Sequence, residues 1–211
     1  MRRVCVDADS PSLEILEEVA RAVRGGGIVA VPTDTLYGLA VDPFRPEAVA
    51  RLLAAKGRPP ERALPLIAAT TDQVSRCFGP LSSVAQRLAD RFWPGPLTLL
   101  LPAPGDLPAG VSAGTGRVGV RVPAHAVARG LCRACGHLLT ATSANLSGQP
   151  PASDPEEVAR TLGDRIDVLL DAGHTQGGAP STIVDVTSAA PRLVRDGAVE
   201  WHEVEACARL G

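Results

Sequence analysis

Apolar positions along the chain follow two rhythms. Leu13, Leu16, Val19, Ala20 and Val23 recur at helical spacing behind the Ser10-Pro11 start, and Gly25-Gly26-Gly27 stops them. Ile28–Val31 is a continuous apolar run, the mark of a strand buried on both faces. Pro46 opens a second helix that turns Val49, Leu52 and Leu53 inward and ends near Lys56-Gly57. Thr71–Phe78, Leu81–Phe92 and His125–Cys135 read as further helices, as does a segment after Ser153-Asp154-Pro155 and a terminal one from Glu200 to Leu210. Strands are predicted at Val4–Val6, Leu64–Ala69, Leu97–Leu101, Val118–Val122, Leu138–Thr142, Ile166–Leu170, Ser181–Val186 and Leu193–Arg195. Strands and helices interleave, yet several strands lie close enough for antiparallel neighbours. The pattern predicts an α+β (α/β-like) fold, with a mixed, twisted sheet flanked by helices in a single domain over residues 1–211.

Composition narrows the picture. At 211 residues, with 45% hydrophobic and 21% charged positions, the chain can bury a core without disulfides or metals. Its formal charge of −2 excludes a surface that is basic throughout, though not a local basic groove. No apolar run reaches the ~18 residues of a membrane span. The N-terminus turns acidic at Asp7, and the five cysteines are scattered, so a cytoplasmic location is expected. Gly 21 and Pro 19 are spread along the chain as tight turns.

Rare residues mark three segments. The only lysine is Lys56, in Lys56-Gly57-Arg58-Pro59-Pro60; the only asparagine is Asn145, in Thr142-Ser143-Ala144-Asn145-Leu146-Ser147-Gly148. The only tyrosine is Tyr37, in Pro32-Thr33-Asp34-Thr35-Leu36-Tyr37-Gly38-Leu39. An Arg-rich composition makes a surviving lysine informative, because a compact ammonium and a planar guanidinium are not equivalent. The loops at Thr33–Gly38, Ser143–Gly148 and Ser181 follow predicted strands, where open α/β sheets gather ligands. Together with Lys56 and Arg58 they would supply hydroxyls, one ammonium, guanidiniums and an amide, with Asp34 the only carboxylate of the first motif. Such a set suits a phosphate or carboxylate ligand. Each segment also has a plain structural reading. Thr33-Asp34-Thr35 can be an Asx-type turn, Lys56 and Arg58 can complement a helix dipole, and Ser143-Ala144-Asn145 can be a cap. Cys132-Arg133-Ala134-Cys135 with His137 is half a zinc pattern without a second Cys pair, which makes the thiols incidental.

These motifs, taken with Val120-Arg121-Val122-Pro123, Ser181-Thr182-Ile183-Val184-Asp185 and Val194-Arg195-Asp196-Gly197, resemble the YrdC/TsaC family of L-threonylcarbamoyladenylate synthases. Six motifs in order form the resemblance. It implies a YrdC-like fold with a concave, positively charged groove and a motif-bearing core over about residues 12–198. It implies a nucleotidyltransferase that converts L-threonine, bicarbonate (or CO2) and ATP to threonylcarbamoyl-AMP and pyrophosphate. Partner proteins then transfer the threonylcarbamoyl group to N6 of adenosine 37 in tRNAs that read ANN codons, and weak tRNA contact is compatible with this. By the same resemblance Lys56, Arg58, Ser143 and Asn145 form the catalytic set, and these four with Arg117 and Arg195 bind ATP. Thr35, Arg121 and Ser181 hold L-threonine, while Thr33, Asp34 and Tyr37 complete the loop. Mg2+ would accompany ATP, although no carboxylate cluster marks a metal cage. The chain resembles the short form without an extra C-terminal domain. It departs from the pattern at Ala69, where relatives often carry His, and in a longer loop through Pro60-Glu61-Arg62. The Gly/Pro-rich stretch Pro102–Gly116 is a candidate cover over the site. A carbamoyl-adenylate-forming domain of a larger carbamoyltransferase and an ATP-independent RNA-binding module are the competing readings.

Overall fold

The computed structural model describes residues 1–59, 61–188 and 190–209. Along the chain run β1 (Arg2–Cys5), α1 (Leu13–Arg24), β2 (Val29–Val31), β3 (Gly38–Ala40), α2 (Pro46–Lys56), β4 (Leu66–Ile67), α3 (Thr71–Phe78) and α4 (Ser83–Phe92). There follow β5 (Leu97–Pro102), α5 (Ala109–Ser112), β6 (Arg117–Arg121), α6 (Ala126–Cys135), β7 (Leu139–Thr140) and β8 (Thr142–Ser143). The last are α7 (Pro155–Leu162), β9 (Val168–Asp171), β10 (Thr182–Asp185), β11 (Arg192–Arg195) and α8 (Trp201–Ala208).

The strands divide between two mixed sheets rather than the one expected. The first has the order β1-β9-β2-β3-β8, the second β11-β10-β5-β6-β4-β7. The single strand predicted over Leu138–Thr142 is the reason. Leu139 and Thr140 pair with β4 in the second sheet, whereas Thr142 and Ser143 pair with β3 in the first. Ala141 sits at the crossing, its N–H donating to Pro65 O at 2.8 Å. One extended ribbon thus stitches the sheets together.

Helix α1 shows how pattern becomes packing. Leu16, Val19, Ala20 and Val23 lie on one face and are buried. They meet α6 and the Val29/Val31 face of β2, while Ile28 and Ala30 enter the other core cluster. This alternation is what a strand buried on both faces requires. Each large side chain so buried contributes roughly 1.5–3 kcal/mol.

No residue of Pro102–Gly116 lines the cavity between the sheets. The stretch holds the short helix α5, buries Leu107 and Val111 in the core, and is fastened where Leu64 N–H donates to Val111 O at 2.8 Å. Ala69 is buried between α1, α6 and the sheet, and its N–H donates to Gln73 Oε1 at 2.7 Å. The longer loop after Arg58 contains Pro60, and the end predicted for the terminal helix is Leu210; both lie outside the described residues. Among the described residues no helix is long and apolar enough to cross a membrane.

Candidate active site

The second sheet floors a cavity of about 370 Å3, and loops and strand ends of the first sheet roof it. That volume lies in the range of small-molecule sites. Strand alternation selects the floor. Leu99 and Val120 face each other in the core, so Thr98, Leu100, Gly119 and Arg121 present the opposite face to the cavity. Ser181 and Ile183 extend it across the parallel β5–β10 pairing, where Ile183 lies opposite Thr98. Ser181 Oγ and Thr98 Oγ1 are 2.8 Å apart. A Cβ on Gly119 would stand 3.0 Å from Thr98 Cγ2 and 3.4 Å from Leu100 Cδ2, so this position keeps the floor low.

The roof begins at the turn between β2 and β3. Thr33 closes it: its Oγ1 donates to Leu36 O at 2.7 Å and accepts from the N–H groups of Thr35 and Leu36. The Asx-type turn expected from the sequence is therefore a threonine-closed one, and Thr35 is left facing Arg121. Tyr37 is fully buried, with its hydroxyl donating to Gly173 O at 2.7 Å. Burial pushes its pKa up to about 12, and the phenol acts as a strut behind the loop.

Two other motifs interlock at the end of α2. Gly57, at φ 58°, reverses the chain: its N–H donates to Ala54 O and that of Arg58 to Leu53 O. This is a Schellman ending, which needs the left-handed conformation glycine adopts without penalty. It sends Lys56 and Arg58 in different directions. Lys56 is buried, and its ammonium donates to Ser143 O, to Asn145 O at 2.8 Å and to Asn145 Oδ1 at 3.2 Å. Ser147 N–H returns a bond to Lys56 O at 2.9 Å. Asn145 Oδ1 also accepts from Ser143 Oγ at 2.6 Å, and Asn145 Nδ2 donates to Gln149 O at 2.5 Å. Burial, then the charge of Arg58, pulls Lys56 down to about 8. Arg58 turns to the cavity wall. Its Nη1 donates to Thr142 Oγ1 and its Nη2 to Ala63 O, and its Nε is buried without a partner. Burial lowers its pKa, and Arg62 adds to that.

The far wall is β11. Arg195 donates to Ser181 O from Nη2 at 2.5 Å and from Nε at 3.2 Å. Gly197 fixes this contact, since a Cβ there would meet Pro180 O and come within 2.6 Å of Ser181 C and Thr182 N.

The cavity thus gathers Thr33, Thr35, Tyr37, Arg58, Arg121, Ser143, Ser181 and Arg195. Four candidates do not line it. Lys56 and Asn145 stand behind Ser143 as its support, and Asp34 lies behind Arg121. Arg117 is at the outer end of β6, 2.6 Å from Asp185 Oδ2. The floor residues Thr98, Gly119 and Ile183 escaped sequence reasoning. The signal available was a threonine between leucines in β5 and a glycine between valines in β6.

Among the described residues no cluster of three or more His, Cys, Asp or Glu could hold a metal, and no carboxylate lines the cavity. The residues present do not form a cage for Mg2+, and the donor set fits anions. A layered α+β fold with three guanidiniums and several hydroxyls around one hollow defines a class whose donor set suits a small anion.

Comparison with known proteins gives this class its family. The Sua5/YciO/YrdC family model, described as "Telomere recombination", matches residues 21–197. The threonylcarbamoyl-AMP synthase of Halorhodospira halophila is 46% identical over 155 residues, covering 74% of this chain and 81% of that protein. That of Pyrococcus abyssi is 38% identical over 183 residues, covering 87% of this chain but only 54% of the relative. Among solved structures, that of P. abyssi Sua5 complexed with L-threonine superimposes with a TM-score of 0.93 at 34% identity, over 98% of this chain and 61% of that one. The chain belongs to the Sua5/YciO/YrdC family.

Proposed function

We propose that the protein is an L-threonylcarbamoyladenylate synthase, making threonylcarbamoyl-AMP and pyrophosphate from L-threonine, bicarbonate (or CO2) and ATP. The observation that carries this reading is the shared hollow. Thr35, Arg121 and Ser181, the expected threonine contacts, open onto the same 370 Å3 space as Arg58, Ser143 and Arg195, expected at the phosphates. The names and identities of the relatives support it.

The chemistry asks little covalent work of the protein. An oxygen of the threonine carbamate attacks the α-phosphorus; the new P–O bond forms as the bond to the pyrophosphate oxygen breaks. Positioning and stabilisation of the growing charge dominate such steps. Arg58 and Arg195 flank the triphosphate from opposite walls, and Ser143 reaches it from the roof once its hydroxyl turns from Asn145 Oδ1. Lys56 acts one layer back: it holds the Ser143–Asn145 loop in place and adds a buried positive charge. Arg121 and Thr35 hold the amino-acid end. Mg2+ would be carried by the phosphates of ATP, and no step is assigned to it.

In this reading residues 1–211 work as one catalytic unit with a cationic groove. They act in the cytoplasm at the first step of N6-threonylcarbamoyladenosine formation at tRNA position 37. Transfer proteins take the product, and contact with tRNA is weak. The test is direct. The isolated chain, given ATP, L-threonine and bicarbonate, should form threonylcarbamoyl-AMP and pyrophosphate. Lys56→Ala and Arg58→Ala should each lower the rate at least ~10²-fold. Normal turnover in both variants would falsify those assignments.

A further inference from the structure

The motif Ser181-Thr182-Ile183-Val184-Asp185 gives the cavity Ser181 and Ile183 and leaves Thr182 without a part in the site. Strand alternation turns Thr182 to the other face of β10, where it is fully buried. Its hydroxyl is completely used. Oγ1 donates to Val199 O at 2.7 Å and accepts from Val199 N–H at 2.9 Å. One side chain thus takes both backbone groups of a residue 17 positions away in the chain. Val199 is itself buried, and it lies between β11 and α8, outside the ladder of either sheet. Buried backbone groups without a partner are costly, so the hydroxyl fixes where this stretch runs.

That stretch follows directly on the far wall of the cavity. β11 is an edge strand, exposed along its length, and its pairing with β10 shifts register between Ile183 and Val184. Arg195, opposite Ile183, is the last residue of that ladder. Beyond it the chain is held by Ala198 N–H, which donates to Pro180 O at 2.9 Å, and by Thr182. Gly197 packs so close to β10 there that a Cβ would come within 2.6 Å of Ser181 C and Thr182 N. The same closeness lets the Arg195 guanidinium grip Ser181 O from Nε and Nη2. Arg195 therefore stands between a ladder with an irregularity on one side and the Thr182 clamp on the other. A group that holds substrate loses up to ~10²-fold in effect when it is misplaced by about 1 Å.

We infer that Thr182 is a positioning residue for ATP. By fastening Val199 behind β10 it seats Gly197 on Ser181 and keeps the Arg195 guanidinium at the cavity wall. Thr182 touches no substrate; it acts through Arg195. The inference rests on the reading that Arg195 meets the nucleotide.

The experiment measures, by calorimetry on the full chain, the Kd for ATP and for L-threonine, with the folding of each variant checked by circular dichroism. Thr182→Val keeps the shape and removes both bonds. It should weaken ATP at least ~10-fold. L-Threonine should stay within about threefold of native, because Thr182 N–H still donates to Pro96 O and keeps β10 on β5. Thr182→Ser, which retains the hydroxyl, should bring ATP back to within about threefold of native. In the Arg195→Ala protein, Thr182→Val should add less than about twofold, because the group it positions is already gone. A purely structural role would weaken both ligands together and act equally in both backgrounds. Either result, or unchanged ATP binding by folded Thr182→Val, overturns the role of Thr182. Thr182→Cys, a weak donor of similar size, makes the same comparison if valine prevents folding. A native protein that binds ATP without forming threonylcarbamoyl-AMP sinks the proposed reaction and not this inference; one that binds no ATP overturns both.

Discussion

The two ends of β6 carry arginines four residues apart on one face of the same strand, and each meets an aspartate. At the outer end Asp185 is buried and saturated. Its Oδ1 accepts from Thr187 N–H at 3.0 Å and Thr187 Oγ1 at 2.6 Å, and its Oδ2 lies 2.6 Å from Arg117 and 3.1 Å from Arg192. At the inner end Asp34 pairs with Arg121, whose guanidinium also reaches Gly95 O and Thr35 Oγ1 at the edge of the cavity. The first arrangement closes a structure; the second sets a guanidinium at the wall of a cavity. Placement against a cavity, more than charge itself, separates the second arginine from the first.

This contrast can be broken experimentally. Arg121→Ala should lower threonine-dependent pyrophosphate release by ~10²-fold or more, and Arg121→Lys should fail to restore it, since an ammonium cannot reproduce the fork on Gly95 and Thr35. Near-normal rates in the lysine variant would show that the fork does not matter.

Asp185→Asn should act on stability instead. It should cost about 1–3 kcal/mol in urea unfolding while turnover stays within about threefold. Burial alone would raise the pKa of Asp185, but the Thr187 hydrogen bonds, then Arg192 and Arg117, outweigh it and hold the carboxyl below its ordinary 3.8. A depressed folded pKa contributes stability that is present above the unfolded value and lost as pH falls through the folded one. The gap between native and variant proteins should therefore narrow below about pH 4. A gap constant with pH would remove the charge from the explanation.

Gly119→Ala, midway along β6, should raise the KM for substrate severalfold and cost about 1 kcal/mol, because the new methyl group must push Thr98 and Leu100 aside. Unchanged KM would mean that substrate does not approach this stretch of floor. The smallest effect belongs to Arg117→Ala. Its side chain is 44% exposed, and its loss should change stability by at most ~1 kcal/mol and turnover by less than about twofold. A tenfold loss would return Arg117 to the nucleotide site and erase the distinction between the two ends.

Much of this architecture was legible in the chain. The boundaries of α2 and α3 match the expected Pro46–Lys56 and Thr71–Phe78, because Pro46 and the Thr70 cap start them and Gly57 and Gly79 end them. Short strands were less readable. Leu64–Ala69 shrinks to Leu66–Ile67, and β3 arises within what reads as a loop, because pairing with β2 and β8 rather than propensity makes it a strand. The second sheet could not be foreseen from an apolar run that changes partners at Ala141. Site loops were identifiable from their motifs, but their division of labour was not. Lys56 and Arg117 read as phosphate and nucleotide contacts, and nothing in the chain announces the three bonds of Lys56 to the Ser143–Asn145 loop or Asp185 beside Arg117. Such facts depend on which side chain reaches which partner across long sequence separations.

The ribbon that passes from β7 to β8 has a mechanical consequence. Because it is hydrogen-bonded to β4 on one side and to β3 on the other, floor and roof are riveted along that seam, and the Lys56 ammonium adds a further bolt. The hollow cannot gape there without tearing backbone bonds of both layers. Strand β11, at the edge of the second sheet and exposed along its length, has no such seam among the described residues and stands as the outer wall beside Arg195.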